Sequence, residues 1–279
     1  MNNSIYPCLW YDNQAKEAAI FYCSVFKNSK ITSENSIVTK FELEGKSFMG
    51  LNGGPVFKIN PSISLFVSCP THEEIESTYN KLIEGGSAMM PLGKYPWSEK
   101  YGWVIDKFGM TWQLMLGELP TGVPKIIPCF LFVGEQCGKA KQALEHYTSI
   151  FPDSKIHTLH SYKAGAVQPE GNLEFGHFTL RDNLFAAMDG TGEHNFKFNE
   201  GVSIVVECET QDEIDNYWNK LTEGGKEVQC GWLTDKFGVS WQIVPSILAT
   251  LMSDPAKADK VTAAFMKMKK FDIGKLMEA

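Results

Sequence analysis

The stretch GWVIDKFGMTWQL at residues 102–114 returns as GWLTDKFGVSWQI at residues 231–243. The surrounding segments repeat in the same order: YPCLWY corresponds to IPCFLF near the start of each copy, and EIESTYNKLIEGG corresponds to EIDNYWNKLTEGG further along. Copies of roughly 120 residues have the size of a domain and are far longer than the units of a solenoid. The chain is therefore a tandem duplication, and we expect both copies to share one fold.

Composition limits the classes of protein that fit this chain. Its 279 residues are 43% hydrophobic and 12% aromatic, which suffices for two ordinary hydrophobic cores. A net charge of -7 without a long basic run argues against a nucleic-acid partner, because binding to phosphates needs clustered Lys and Arg. The N-terminal residues lack the pattern of a signal peptide, and no apolar run is long enough to cross a bilayer. We therefore predict a cytoplasmic protein without a membrane partner.

The sequence predicts that four of the cysteines lie in the core. The chain has seven, an odd number without a Cys-x-x-Cys pair, which argues against a disulfide framework. Cys8 corresponds to Cys129 and Cys69 to Cys208, each inside an apolar run typical of a strand. Because reduced, buried cysteine behaves as a small hydrophobic residue, we expect these four in the core rather than as metal ligands or nucleophiles.

Each copy contains two modules with the same order of elements. In the first copy, residues 5–12 predict a strand, the apolar spacing over residues 14–26 predicts a helix, and three β-rich runs follow. The order restarts with a strand near residue 63, a helix after the N-cap Thr71, and a hairpin around the DKFG turn. We predict an α+β fold of four βαβββ modules, in which the two modules of each copy form one open, cup-shaped mixed sheet with helices outside.

Linker composition gives the boundaries. ELPTGVPK at residues 118–125 is rich in Pro and Gly, so we expect a first domain over residues 1–120 and a second over residues 121–250. Residues 251–279 are expected to form a tail with one amphipathic helix, which begins after Asp254 and docks on the protein. Where the second copy has only KEVQC, the first has SAMMPLGKYPWSEKY, which predicts an extra loop.

These modules and motifs resemble the vicinal oxygen chelate superfamily, the glyoxalase and bleomycin-resistance fold. The resemblance rests on PCLWYDNQAKEAAIFYCSVF, FKINPSISLFVSC, DKFGMTWQL and MKKFDIGKLMEA in a fixed order, and it covers nearly the whole chain. It points to the PhnB-like branch, many of whose members carry the name 3-demethylubiquinone-9 3-methyltransferase domain. It implies a pseudo-dimer within one chain and leaves open whether two chains associate further.

Superfamily members often hold a divalent metal in the cup on His, Gln and Glu side chains, and this chain departs from that pattern. Gln113 and Gln242 stand where a typical member has a Glu in its last strand, while Ser62 and Gly201 stand where the second module opens with a His. One amide oxygen per cup is too few, because a catalytic metal takes about three protein ligands. We therefore predict neither a metal nor another cofactor.

Other polar residues were weighed in the same way. Lys40 and His177 occupy corresponding positions, and a basic group there either contacts a ligand or lies on a solvated strand face. Strand alternation places His157 and His160 on opposite faces, so we expect them at the surface or at a pocket rim. Turn geometry explains the Asp of DKFG better than catalysis does. The repeated tryptophans are expected in the core or on cup walls, namely Trp103, Trp112, Trp232 and Trp241.

Two classes of function fit these residues. The first is a small-molecule binding protein in which Gln113 and Gln242 orient a partly apolar ligand, with Lys40 and His177 as further contacts. The second is an enzyme of the lyase, isomerase or dioxygenase type. Because the chain lacks a Gly-rich turn between a strand and a helix, methyltransferase activity is kept only as an alternative. Loss of the metal ligands favours the binding protein.

Overall fold

The computed structural model describes residues 4–118, 120, 122–166 and 168–279. Four modules follow one another, each with a strand, a helix and three more strands. Module 1 contains β1 (Ile5–Tyr11), α1 (Ala15–Val25), β2 (Lys30–Glu34), β3 (Val38–Leu43) and β4 (Lys46–Asn52). Module 2 contains β5 (Ile63–Cys69), α2 (His72–Ile83), β6 (Ser87–Tyr95), β7 (Ser98–Ile105) and β8 (Thr111–Leu116).

The second copy repeats this order and ends in a helical tail. Module 3 contains β9 (Ile126–Phe132), a short 3₁₀ helix (Gly134–Gln136), α3 (Ala140–Ile150), β10 (Lys155–Ser161), β11 (Leu173–Leu180) and β12 (Asn183–Asp189). Module 4 contains β13 (Val202–Cys208), α4 (Gln211–Thr222), β14 (Lys226–Glu227), β15 (Trp232–Thr234) and β16 (Ser240–Pro245). The tail contains α5 (Ile247–Ser253), α6 (Ala258–Phe265) and α7 (Ile273–Met277).

The strands of the described residues form two mixed sheets of eight strands each. Sheet I has the order β14-β15-β16-β13-β1-β4-β3-β2, and sheet II has the order β10-β11-β12-β9-β5-β8-β7-β6. At the centre of sheet I, β1 pairs antiparallel with β13 and places Cys8 opposite Ser203. At the centre of sheet II, β5 pairs antiparallel with β9 and places Ser64 opposite Cys129. Each sheet therefore joins one module of each copy.

The four predicted modules and the α+β class are confirmed, whereas the predicted pairing of modules within each copy is wrong. Module 1 completes a sheet with module 4, and module 2 completes a sheet with module 3. The strands IYPCLWY and IIPCFLF are nearly interchangeable, as are ISLFVSC and VSIVVEC, so the same local pairs form in either arrangement. The boundaries at residues 120 and 250 remain a prediction from the sequence repeats, whereas each sheet combines strands from both copies.

The helices lie between the two sheets. α1 packs on β3 and β4 of sheet I, and the ring of its Tyr22 lies 5.1 Å from that of Trp112 in sheet II. The second copy repeats this contact, with the ring of Tyr147 in α3 lying 5.2 Å from that of Trp241. One continuous core therefore runs along the helix side of both sheets. The opposite side of each sheet is called its outer face below.

Local signals explain where the helices begin and end. α2 follows Thr71, whose hydroxyl accepts a 3.2 Å hydrogen bond from the N–H of Glu74, which confirms the predicted N-cap. α4 follows Thr210 in the same way. Both helices stop just before a glycine with positive φ, at Gly85 (75°) and Gly224 (72°), a conformation that side-chain-bearing residues rarely adopt.

The segment predicted as an extra loop in the first copy is instead an extension of sheet II. β6 pairs with β7 over residues 87–105, and the rings of Tyr95 and Trp97 stack at 5.1 Å beside the turn. The Pro and Gly content of the segment suggested a loop. However, β6 is the edge strand, where Pro91 removes no N–H that a neighbouring strand requires.

The tail consists of three short helices rather than the single helix predicted, although the predicted docking on the protein is correct. It packs against the common core through three buried apolar side chains, those of Val261, Phe271 and Leu276. Its backbone carbonyls at Met268 and Lys269 accept hydrogen bonds of 2.8 and 2.7 Å from the N–H groups of Cys230 and Gly231. The tail therefore borders β15 in sheet I, where sheet II has the long β6–β7 hairpin.

Candidate ligand-binding site on the outer faces

The glutamines of the repeated motif lie on the outer faces, and the tryptophans next to them face the helices. Gln113 is 1% exposed and Gln242 is 5% exposed, and each contacts polar groups on the side away from the helices. Trp112 and Trp241 are packed in the helix-side core. Strand alternation produces this arrangement, because successive side chains of a strand point to opposite faces of the sheet.

In sheet II the glutamine belongs to a buried polar cluster. Gln113 Nε2 donates a 2.7 Å hydrogen bond to Ser64 Oγ, and Gln113 Oε1 accepts one of 2.6 Å from the hydroxyl of Tyr101. The thiol of Cys129 lies within hydrogen-bonding reach of both Gln113 and Ser64. The partner of the amide is therefore Ser64, two residues beyond Ser62, the position that the resemblance singled out.

Sheet I has the corresponding cluster. Gln242 Nε2 donates a 3.0 Å hydrogen bond to Ser203 Oγ, and the thiol of Cys8 lies within reach of both residues. Ser203 again stands two residues beyond the expected position, at Gly201. Each cluster takes its cysteine from one copy and its Ser–Gln pair from the other, which is why the repeat alone did not reveal it.

These clusters do not fit a divalent metal of the superfamily type. Burial raises the pKa of Cys8 and of Cys129 to about 12, while the neighbouring Gln and Ser side chains act to lower it. The thiols are therefore neutral near pH 7, whereas a metal site requires deprotonated thiolate, imidazole or carboxylate ligands. Among the residues that the structure describes, no group of three or more His, Cys, Asp or Glu could hold a metal ion.

Lys40 lies near the edge of the outer face of sheet I. Its Nζ is 3.0 Å from Oε1 of Glu207 and 5.7 Å from the ring centroid of Tyr6, whose hydroxyl donates a 2.6 Å hydrogen bond to the same carboxylate. Sequence reasoning missed Glu207 and Tyr6. The signal was present in β13, where Glu207 is the single charged residue of VSIVVEC.

His177 occupies the corresponding place in sheet II, as the sequence comparison of the two copies predicts. It pairs with Ala186 in β12, as Lys40 pairs with Met49 in β4. Its Nδ1 lies 3.3 Å from the hydroxyl of Thr158. Lys40 forms an ion pair, whereas His177 makes an edge-on aromatic contact. Its ring centroid lies 4.8 Å from that of Phe175.

His157 lies at an irregularity in the pairing of β10 with β11. The register of β10 against β11 shifts between Ile156 and Thr158, and such a bulge interrupts the alternation of faces. Burial lowers the pKa of His177, and the charges of His157 and His160 lower it further. His157 and His160 therefore both act on His177, although no group that could hold a metal ion is found among the described residues.

The DKFG turns are structural, as predicted. Asp235 is buried, and its Oδ1 accepts hydrogen bonds of 2.8 and 3.0 Å from the N–H groups of Phe237 and Val239. Its Oδ2 accepts hydrogen bonds from the hydroxyl of Tyr147 (2.7 Å) and the indole N–H of Trp241 (2.8 Å). Both carboxylate oxygens are thus occupied in holding the hairpin. The first copy repeats the two backbone bonds and the indole bond at its own aspartate.

The family model for 3-demethylubiquinone-9 3-methyltransferase matches residues 3–115 and again residues 124–244. The chain belongs to this family. Each match spans one sequence repeat, so both copies are members of the PhnB-like branch. In the described part of the chain, no helix is long and apolar enough to cross a membrane.

The chain is also similar to solved structures. A putative 3-demethylubiquinone-9 3-methyltransferase, PhnB protein, from Bacillus cereus is 40% identical over 39% of this chain and 96% of its own, with a TM-score of 0.38. Glyoxalase I from Zea mays is 9% identical over 90% of this chain and 95% of its own, with a TM-score of 0.59. The latter likeness shows the fold alone. No curated protein gives a significant match.

Proposed function

We propose that this chain is a small-molecule binding protein, which holds its ligand on an outer face and orients it without a metal ion. The observation that carries this proposal is the pair of buried clusters, Gln113 with Ser64 and Gln242 with Ser203. Amide and hydroxyl groups are neutral donors and acceptors. Placed in an apolar, aromatic surround, they suit recognition of a neutral, partly apolar molecule.

The rim residues fit the same proposal. Lys40 shares its charge with Glu207 at 3.0 Å, so it offers N–H groups to a ligand rather than an isolated positive charge. Burial and neighbouring imidazoles lower the pKa of His177, which favours its neutral form. Both rims therefore present polar groups of low net charge, as expected for a ligand that is not strongly anionic.

An enzyme of the lyase, isomerase or dioxygenase type is the second candidate, and it is suggested by the fold. Such a reaction needs an acid, a base or a metal next to the substrate. The amides and the thiols with pKa values near 12 provide neither acid nor base at neutral pH. The family description names a methyltransferase, but the loops after β4 and β12 lead into strands rather than into the helix of a usual S-adenosylmethionine site.

The test is a ligand screen by thermal shift and NMR on the full chain, with elemental analysis of the same samples. We expect neutral aromatic molecules to bind to metal-free protein, and we expect at least one of Gln113→Leu and Gln242→Leu to weaken that binding. Affinities that neither substitution changes, or binding that requires a stoichiometric metal, would contradict the proposal.

A further inference from the structure

Sheet II contains a phenol group from its own chain at the place where the clusters offer an acceptor. The hydroxyl of Tyr101 donates a 2.6 Å hydrogen bond to Gln113 Oε1, and the tyrosine side chain is only 5% exposed. Its ring packs in the outer apolar cluster with Phe66 and Ile127. The face of sheet II is therefore closed, and its amide oxygen is already paired.

The long β6–β7 hairpin holds this tyrosine in place. The ring of Tyr101 meets the rings of Tyr95 and Trp97 edge-on, with centroids 5.7 and 5.9 Å away. Burial raises the pKa of Tyr101, so its hydroxyl keeps the proton that it donates to the amide. Tyr101 therefore shows how a phenol fits this type of cluster. Its ring lies on the outer face, and its hydroxyl is directed at the Gln side chain.

Sheet I has the same acceptor but no such donor. The residue that corresponds to Tyr101 is Cys230, which has a positive φ of 59°. Its Sγ lies 3.8 Å from the carbonyl oxygen of Phe265 and 3.7 Å from Sδ of Met266, so the side chain is directed to the tail. Within the described residues, no O–H or N–H group donates to Gln242 Oε1, and the Cys8 thiol is its polar neighbour.

The outer faces of the two sheets carry aromatic rings at different positions. Val205 stands where sheet II has Phe66, and Val38 stands where sheet II has Phe175. Conversely, Tyr6 and Trp10 stand where sheet II has Ile127 and Leu131. The β6–β7 hairpin of nine and eight residues is replaced by β14 and β15, of two and three residues. Trp232 in β15 corresponds to Trp103, whereas the rings of Tyr95 and Tyr101 have no counterpart in β14 and β15.

Aromatic residues surround Gln242 on the outer face of sheet I. Trp232 pairs with Gln242 across the two strands and shares its face. The ring of Trp10 lies 5.8 Å from that of Trp232 and 5.0 Å from that of Phe57. The indole N–H of Trp10 is used in a 2.8 Å hydrogen bond to the carbonyl of Gly54, which fixes the ring as a wall.

We propose that the outer face of sheet I binds a small phenol, a hydroxyl-bearing aromatic ring that takes the place Tyr101 occupies in sheet II. This inference rests on the proposed function and specifies its ligand class and its face. The hydroxyl of the ligand donates to Gln242 Oε1, and the ring lies beside the half-buried Trp232, which pairs with Gln242 across the two strands. Sheet II is closed by its own tyrosine and takes no ligand.

The experiment uses p-cresol, the side chain of tyrosine as a free molecule, on the full-length protein by calorimetry and NMR. We expect one p-cresol per chain, with a Kd of about a millimolar or below for a ligand of this size. 4-Methylanisole has the same ring but no proton to donate, so it should bind at least about tenfold more weakly, since Gln242 Oε1 then stays unpaired.

Two matched substitutions locate the site. Gln242→Leu should weaken p-cresol binding about tenfold or more, whereas Lys236→Ala, at an exposed position of the same repeated motif, should leave the affinity unchanged. Tyr101→Ala removes the internal phenol and should add a second p-cresol site per chain. This gain does not depend on the folding of the Gln242→Leu variant.

The outcomes separate this inference from the proposed function. Equal affinities for p-cresol and 4-methylanisole, or an unchanged affinity in Gln242→Leu, would overturn the phenol assignment while leaving binding on an outer face intact. If p-cresol bound Tyr101→Ala but not the wild-type chain, sheet I would be excluded as the phenol site. If p-cresol bound neither protein, the phenol assignment would be wrong, and the broader ligand screen would judge the proposed function independently.

Discussion

The hydroxyl of Tyr147 donates a 2.7 Å hydrogen bond to Oδ2 of Asp235. This bond joins α3 in module 3 to the final hairpin in module 4, although the two modules contribute to different sheets. Each copy is therefore held together back to back through its helices, while the sheets join one copy to the other. The buried Asp235 lies where α3 of module 3 contacts the final hairpin of module 4.

Replacing this aspartate tests its structural role. Asp235→Asn keeps the size of the side chain but replaces one acceptor oxygen with an N–H₂ donor, which cannot pair with the donors that surround the carboxylate. We expect a loss of about 2–4 kcal/mol in the free energy of unfolding, measured by chemical denaturation. Lys236→Ala changes the exposed neighbour and should cost less than about 0.5 kcal/mol. A stable Asp235→Asn protein would show that the turn bonds are dispensable.

A second prediction concerns Lys125, which lies between two carboxylates from different modules. Its Nζ is 3.2 Å from Oε1 of Glu44 and also contacts Glu74, and its side chain is only 16% exposed. Lys125→Met leaves the two acids facing each other without a cation, so we expect a loss of about 2–3 kcal/mol of folding stability.

The controls for this ion pair exist in the chain. Lys16 and Glu34 form an exposed pair at 2.8 Å, and Lys16→Met should change stability by less than about 1 kcal/mol. Adding Glu44→Gln to Lys125→Met should recover part of the loss, because it removes one of the two repelling charges. Equal effects of Lys125→Met and Lys16→Met would show that the three-module contact contributes no more than a surface pair.

Stability should also fall below neutral pH. Burial, followed by nearby positive charges, lowers the pKa of His177 and of His146 in the folded chain. In the unfolded chain these groups titrate near about 6.5, so the unfolded state binds more protons below that pH. The neutral forms of His177 and His146 therefore contribute fully to the free energy of unfolding above about pH 7. This contribution is lost as the pH falls through their lower pKa values in the folded chain.

Denaturation curves from pH 7.5 to pH 5 measure this effect. His177→Gln should flatten the decline of the unfolding free energy, because one of the imidazoles that must stay neutral is gone. The exposed His72, at the start of α2, provides the control substitution His72→Gln. If both variants keep the wild-type slope, titration of the imidazole at 177 does not contribute to the pH dependence.

The two glutamines should differ in their contribution to folding. Gln113→Leu leaves the hydroxyls of both Tyr101 and Ser64 without their partner, whereas Gln242→Leu leaves only that of Ser203. We expect the first substitution to cost about 1 kcal/mol more than the second. Unfolding of the two variants in urea gives the comparison, and a larger cost for Gln242→Leu would argue that its amide has a structural partner as strong as Tyr101.

Metal content provides a further test. Protein purified without added metal should contain less than about one transition ion per several chains, because the clusters offer an amide, a hydroxyl and a neutral thiol. Addition of a chelator should leave the thermal midpoint unchanged. Stoichiometric zinc, nickel or iron bound on an outer face would show that these residues ligate a metal after all.

Strand alternation and repeat signals were enough to predict the modules and to place Gln113 and Gln242 on the opposite sheet face from Trp112 and Trp241. They could not predict which modules share a sheet, because the competing strands have the same apolar character and can form equivalent pairs. They also missed the bond from Tyr101 to Gln113, since the β6–β7 hairpin looked like a loop. Glu207 was missed because its partner Lys40 is 167 residues away, beyond any local pattern.

The exchange of modules also sets an order of assembly on the ribosome. All the strands of sheet II lie in one continuous stretch from β5 to β12, so this sheet can close while module 4 is still being synthesised. β1 has no central partner until β13 emerges, because Cys8 pairs with Ser203. The nascent chain therefore folds from its middle outward. Until module 4 is synthesised, one edge of β1 stays unpaired. Module 4 of a neighbouring nascent chain on the same messenger RNA can pair with that edge instead.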